Sequence, residues 1–140
     1  NGSDDALKFT IAMKKSDDFS FSGLKTAVRN VLEKGGHKPS DIAASFQKSV
    51  ADALVLKTMR VAKACGRKKI VVSGGVACNA VIRSSFKEAC GQTADVFFPS
   101  FRLCTDNGDM IAYTAHKFYS RRRFFPLEGS AYDSQPDIRI

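Results

Sequence analysis

The chain reads as an α/β protein, and three observations predict it. A short apolar run, Ile70-Val71-Val72, ends in Ser73 and the pair Gly74-Gly75, after which apolar residues recur at helical spacing. A second short apolar stretch, Asp95 to Phe98, follows about one helix later and stops at Pro99. Long segments before and after these runs carry apolar residues three and four positions apart, the period of a half-buried helix. Strands that alternate with helices belong to the α/β class, not to a class that keeps them in separate blocks.

Taken in order, Ala6 to Met13 has the partial alternation of a strand, with Leu7, Phe9 and Ile11 on one face. Lys14 to Asp18 is a polar turn. A helix follows, with Ser22 expected as its N-cap and Leu24, Ala27, Val28, Val31 and Leu32 on its apolar face. Gly35 and Gly36 end it. Pro39-Ser40-Asp41 opens the next helix, with Ser40 expected to cap it and Asp41 favourable in its first turn. Its face runs through Ile42, Ala43, Phe46, Val50, Ala53, Leu54 and Val61 to a stop at Gly66, and Arg60 and Lys63 suit the negative end of its dipole. After the central strand, a helix is expected from about Val76 to Cys90, with Ile82, Phe86, Ala89 and Cys90 buried and Gly91 closing it. The last helix is expected from near Thr105, with Met110, Ile111, Thr114, Ala115 and Phe118 on one face. No internal repeat or low-complexity segment interrupts this order.

A length of 140 residues fits one domain or part of a larger one. The 44% apolar content is too high for a disordered chain. No apolar run approaches the roughly 20 residues of a membrane span, and the N-terminal residues lack the order of a signal peptide. Cys65, Cys78, Cys90 and Cys104 show no C-x-x-C spacing, so reduced thiols in an intracellular protein are expected. His37 and His116 stand far apart and give no metal-ligand pair. The net charge of +8 suits an anionic partner such as a nucleotide, RNA or a membrane surface, or a solvated basic face. The densest basic runs are Arg67-Lys68-Lys69 and Arg121-Arg122-Arg123.

The chemistry-bearing residues gather near the two strand ends. Gly74 and Gly75 let backbone approach a ligand, and the helix start after them offers unpaired N–H groups to a phosphate. Ser73 is a polar contact or only a strand-end hydroxyl, and no histidine is placed to activate it as a nucleophile. Asn79 has an amide suited to a ribose hydroxyl or a purine edge, or to capping the helix. Asp106 can bind a cation or pair with a basic group, or Thr105 or Asp106 can cap the last helix. Ser20, Ser22, Gly23 and Lys25 form a second polar helix start, and Cys78 and Cys104 read as small buried side chains. No catalytic acid, base or nucleophile is identifiable.

Three blocks together carry a resemblance to a family: Asp18-Phe-Ser-Phe-Ser-Gly-Leu-Lys-Thr26, Val72-Ser-Gly-Gly-Val-Ala-Cys-Asn79 and Cys104-Thr-Asp-Asn-Gly-Asp-Met-Ile-Ala112. In order and spacing they resemble the C-terminal half of the tRNA threonylcarbamoyladenosine synthases (TsaD-type proteins, formerly called O-sialoglycoprotein endopeptidases or glycoproteases), from about Phe9 to about Phe118. The resemblance implies one lobe of an actin/Hsp70/sugar-kinase-like (ASKHA) fold, with a nucleotide bound between two α/β lobes. It implies transfer of a threonylcarbamoyl group from threonylcarbamoyl-adenylate, an ATP-derived ligand, to N6 of the adenosine at position thirty-seven of tRNA. Asn79 would then contact the adenylate, with Ser73, Gly74 and Gly75 beside it. Asp106 would be one ligand of an iron or zinc centre.

The family's His-x-x-x-His ligands and its other adenylate loops belong to an N-terminal half that has no counterpart here. The expected organisation is therefore a C-terminal lobe over residues 1–140, with a core at about 9–120 and an irregular basic tail at 121–140, inactive alone. The implied partners are the N-terminal lobe, tRNA and accessory proteins of threonylcarbamoyladenosine synthesis, with no membrane and a cytoplasmic location (or a mitochondrial or plastid one). Two other readings stand beside this one: another nucleotide-dependent kinase or carbamoyltransferase of the same superfamily, and a basic RNA- or protein-binding module without catalysis.

Overall fold

A parallel two-stranded ladder and the helix that crosses between its strands set the centre of the fold. The computed structural model describes residues 2–121. Strand β1 (Lys69–Val71) pairs in parallel with β2 (Asp95–Phe97), in the register Lys69 with Asp95, Ile70 with Val96 and Val71 with Phe97. Parallel neighbours need a long crossover, supplied here by a 3₁₀ turn (Gly75–Cys78) and a helix (Ala80–Cys90). Helices α1 (Ser22–Lys34) and α2 (Pro39–Ala64) precede the ladder; α3 is the crossover helix; α4 (Gly108–Ser120) comes last. The α/β class expected from the sequence is observed. The chain divides into two compact units, Asn1–Asp106 with the ladder and α1 to α3, and Asn107–Ile140 with α4.

The core lies where α2 and α3 meet the strands. Ala51, Ile70, Ile82, Phe86 and Cys90 are buried together, with Val50, Leu54, Met59, Val72, Val96 and Phe98 packed around them. Phe86 meets Phe98 edge-on, with ring centroids 6.3 Å apart. Of the stripe expected on the third helix, Ile82, Phe86 and Cys90 are buried while Ala89 is exposed, and Gly91 ends that helix at a positive φ of 48°.

Several local expectations are corrected. Ala6 to Met13 forms no strand. Leu7, Phe9 and Ile11 are half-buried while Lys8 and Thr10 are exposed, so the alternation is realised in the side chains. A strand also needs a ladder, and the Leu7 N–H instead donates to the Ser45 hydroxyl at 3.1 Å. Ser22 does not cap α1: Phe21 occupies the boundary, its carbonyl accepting from Lys25 N–H at 3.1 Å. Ser40 does not cap α2 either. Pro39 is already helical and holds Lys38 extended before it, so the Lys38 carbonyl accepts from Asp41 and Ile42 N–H. Leu32, Phe46 and Val61, expected inside, are exposed.

Two long cations do work that periodicity does not reveal. Lys57 is only 1% exposed, with Nζ donating to the Asp18 carbonyl and lying 5.8 Å from the Phe19 ring centroid. Arg60, expected to complement the helix dipole, is instead wrapped by the loop before α1. Its Nε and Nη1 donate to Asp17 Oδ1 and the Lys14 carbonyl, both at 2.7 Å, and Nη2 donates to the Ser16 carbonyl. Together they pin residues 14–19 along α2. Of the basic runs, Arg67, Lys68, Lys69 and Arg121 are exposed, and Arg122, Arg123 and the rest of the expected tail lie outside the described residues. No described helix is long and apolar enough to cross a membrane.

Each charge-assisted hydrogen bond of this kind contributes about 1.5–3 kcal/mol. Arg60→Ala is therefore expected to free the loop locally and to speed tryptic cleavage after Lys14 or Lys15 about tenfold. Timed digestion with peptide mass spectrometry checks it; unchanged cleavage would show that the loop is held by something else.

Candidate functional site

The segment after β1, the N-cap and first turn of α3 and one face each of α1 and α2 enclose an open cleft of about 1280 Å³. Its walls are mostly apolar, from Val28, Ile42, Val50, Val72 and Val76 among others. The polar groups on it are few: Ser22 and Lys25 from α1, Gln47 from α2, Ser73 after β1 and Asn79 before α3. Among the described residues Lys25 is the only charged one in this lining, and no carboxylate joins it. Such a surface suits a ligand with an apolar body and an anionic or hydroxyl-bearing end.

Asn79 is fixed by its own side chain. With φ −69° and ψ 125° it cannot continue a helix, so the expected Val76–Cys90 helix breaks into the 3₁₀ turn and α3. Its Oδ1 accepts from Val81 N–H at 2.9 Å and Ile82 N–H at 3.1 Å, the geometry of an N-cap. Gln47 Nε2 donates to the same oxygen at 2.9 Å. The capping alternative weighed from the sequence is thus realised, and the N–H groups expected to be open to phosphate at this helix start are partly consumed by it. The other end of the amide, Nδ2, has no hydrogen-bond partner among the described residues and belongs to a residue that lines the cleft.

The remaining candidates separate from this pair. Gly74 and Gly75 do not line the cleft. Gly74 has φ 92°, a conformation that a side chain would strain, and it turns the chain from β1 into the 3₁₀ turn. A Cβ at Gly75 would sit 3.9 Å from Thr105 Cγ2, so this turn lies against the residue before Asp106. Asp106 itself is exposed and absent from the cleft lining. Neither Thr105 nor Asp106 caps α4, because Asn107 does, its Oδ1 accepting from Met110 N–H at 3.0 Å. Among the described residues no group of three or more His, Cys, Asp or Glu side chains could hold a metal ion. These residues do not fit a self-contained iron or zinc centre.

Arg83, not singled out from the sequence, organises the ground between the two motifs. Its Nε donates to the Ala77 carbonyl at 2.5 Å. Its Nη2 donates to the Pro99 carbonyl at 2.9 Å and to Cys104 Sγ at 3.2 Å. The guanidinium also sits 4.9 Å from the Phe98 ring centroid and 4.2 Å from that of Phe101. One side chain thereby joins the turn after Gly74-Gly75 to the loop that leads to Asp106. Its placement at i+4 from Asn79 was the only available signal, and spacing alone does not separate such a residue from a solvated arginine.

Comparison with known proteins bears on this arrangement. The family model for tRNA N6-adenosine threonylcarbamoyltransferase (TsaD) matches residues 1–113. The chain belongs to this family. A relative from Sulfurihydrogenibium sp. (strain YO3AOP1), named tRNA N6-adenosine threonylcarbamoyltransferase, is 41% identical over 122 residues, covering 84% of this chain and 36% of that protein. One of the same name from Persephonella marina is 45% identical over 105 residues, or 74% of this chain and 30% of that protein. A third, from Clostridium botulinum (strain Kyoto / Type A2), is 41% identical over 147 residues, or 99% and 42%. The chain thus spans between about a third and two-fifths of the length of these relatives.

Two outcomes follow for the TsaD-family motifs. Replacing the Arg83 fork by the point charge of Arg83→Lys loses the simultaneous contacts and is expected to cost about 1.5–3 kcal/mol, read by urea unfolding. A change below the error of that measurement would deny Arg83 its joining role. Cys78 supplies a pH test. Partial burial, then the neighbouring Cys104 thiol, push its thiol above the ordinary range, while the Arg83 charge pulls it down. A raised thiol holds less thiolate at a given pH, so alkylation of Cys78 should trail that of free cysteine and reach half-maximal rate at higher pH. Iodoacetamide labelling across pH, read peptide by peptide, checks the sign.

Proposed function

We propose that this chain is the C-terminal α/β lobe of a two-lobed, actin/Hsp70/sugar-kinase-like enzyme that transfers a threonylcarbamoyl group from threonylcarbamoyl-adenylate to N6 of adenosine thirty-seven of tRNA. The observation that carries this reading is the cleft, free of acids among the described residues, in which Asn79 Nδ2 remains available while Asn79 Oδ1 is locked into the fold. An apolar wall accommodates an adenine, Lys25 complements a phosphate, and Asn79 and Ser73 offer polar atoms to a ribose or base edge. Gly74 and Gly75 shape the turn that holds Asn79 in place and do not themselves face the ligand. Family membership, and the names of the relatives, support the same reaction.

A complete site needs more than this lobe. In this reading Asp106 is one ligand of an iron or zinc ion whose other ligands come from the N-terminal lobe, and when bound the metal supplies Lewis-acid polarisation. What this chain's residues do is bind and orient: α3 is capped, the Asn79 amide is pre-set, and the apolar walls exclude water from one side of the adenylate. The exposed run Arg67-Lys68-Lys69 suits contact with the tRNA backbone. The proposed location is the cytoplasm, or a mitochondrion or plastid, with accessory proteins of the same pathway as partners.

The test supplies this lobe with a family N-terminal lobe, accessory proteins, ATP, threonine, bicarbonate and tRNA, and measures modified adenosine. Asn79→Asp keeps a capping oxygen and removes the Nδ2 donor. It is expected to leave the melting temperature unchanged and to lower kcat/KM about tenfold or more, the effect of one lost polar contact. Full activity in this variant would remove Asn79 from the adenylate site. A phosphorylated small molecule in place of modified adenosine would favour the kinase reading.

A further inference from the structure

The four thiols are not equivalent. Cys65 is exposed and Cys90 is buried with its Sγ 3.8 Å from Met59 Sδ. Cys78 and Cys104 instead share one seat. Cys78 Sγ lies 3.8 Å from the Phe101 carbonyl, and Cys104 Sγ lies 3.7 Å from the Pro99 carbonyl, two positions on the same short loop. Arg83 holds both sides at once, through the carbonyl of Ala77 next to Cys78 and through Cys104 Sγ itself. The Phe101 carbonyl that Cys78 Sγ approaches also accepts from the Cys104 N–H at 3.3 Å. Cys78 is half-buried, whereas Cys104 is 4% exposed.

We infer that Cys78 and Cys104 are a redox pair, which a low-molecular-weight disulfide converts into an intramolecular disulfide bond. The more accessible sulfur reacts first. Cys78 Sγ attacks one sulfur of the small disulfide, gives up its proton to solvent and releases one thiolate, which takes up a proton. Cys104 Sγ then attacks the Cys78 sulfur of the mixed disulfide, loses its own proton and expels the second small thiol. Two protein thiols are oxidised by two electrons, and one small disulfide is reduced to two thiols. Cys78 ends the 3₁₀ turn Gly75–Cys78 and Cys104 follows the 3₁₀ turn Phe101–Leu103, so neither lies within α3 or β2. The bond would tie the turn after Gly74-Gly75 covalently to the loop that leads to Asp106.

The inference concerns this chain's own thiols and does not depend on the reaction proposed above. The experiment incubates the 140-residue chain with excess glutathione disulfide, blocks free thiols with N-ethylmaleimide and digests with trypsin without reductant. The expected product joins the peptide Ile70–Arg83 to Leu103–Lys117 with the loss of two hydrogens, and dithiothreitol separates them. Cys65 and Cys90 are expected in other states, blocked or singly glutathionylated. In Cys104→Ser the joined peptide should vanish and Cys78 should persist as its glutathione adduct. Recovery of Cys78 only as an adduct in the unmodified chain, or bridged to Cys65, would overturn the inference whether or not the variant folds.

Discussion

The side-chain oxygen of Asn79 accepts three hydrogen bonds, and much of the cleft depends on that congestion. Two of the donors are the second and third amides of α3, so the oxygen decides where the helix begins. The third is Gln47 of α2, so it also decides where that beginning sits. A planar amide with its oxygen fixed has its nitrogen fixed as well. The residue therefore presents Nδ2 with little remaining freedom, and a ligand meeting that nitrogen has little ordering entropy left to overcome.

A second layer of order comes from two cations that hold loops by their carbonyls. Arg83 gathers the carbonyls of Ala77 and Pro99 between the Phe98 and Phe101 rings, and Arg60 gathers those of Lys14 and Ser16. Irregular backbone has polar groups that no ladder satisfies, and a guanidinium with several donors is an efficient way to satisfy more than one. The β1–α3 turn and the loop after β2 are separate in sequence by more than twenty residues, yet a single side chain makes them one surface.

Much of this was legible in the residues, and the failures have a common cause. The two strands, the body of the crossover helix and three of the four residues of its expected stripe (Ile82, Phe86 and Cys90, but not Ala89) were readable because each depends on local period and on glycine or proline punctuation. Caps were harder. Phe21, Lys38 and Asn107 took boundaries assigned to Ser22, Ser40 and Thr105 or Asp106, because a start shifts by one or two residues when a proline or a backbone carbonyl satisfies the first turn. The partners of Lys57, Arg60 and Arg83 were not readable, since each lies on another element and no spacing encodes it. For the site, Ser73 and Asn79 share the cleft, whereas Asp106 stands apart from it.

The segment from Leu7 to Ile11 has a consequence of another kind. Its alternate side chains are half-buried, as in a strand, while its backbone makes no ladder bonds among the described residues. Side-chain sorting and main-chain pairing, normally acquired together, are here uncoupled. Physically the segment is held by its side chains and by the Leu7 N–H bond to the Ser45 hydroxyl, not by sheet pairing. Its placement therefore follows α2, the helix that carries Ser45, and not the ladder.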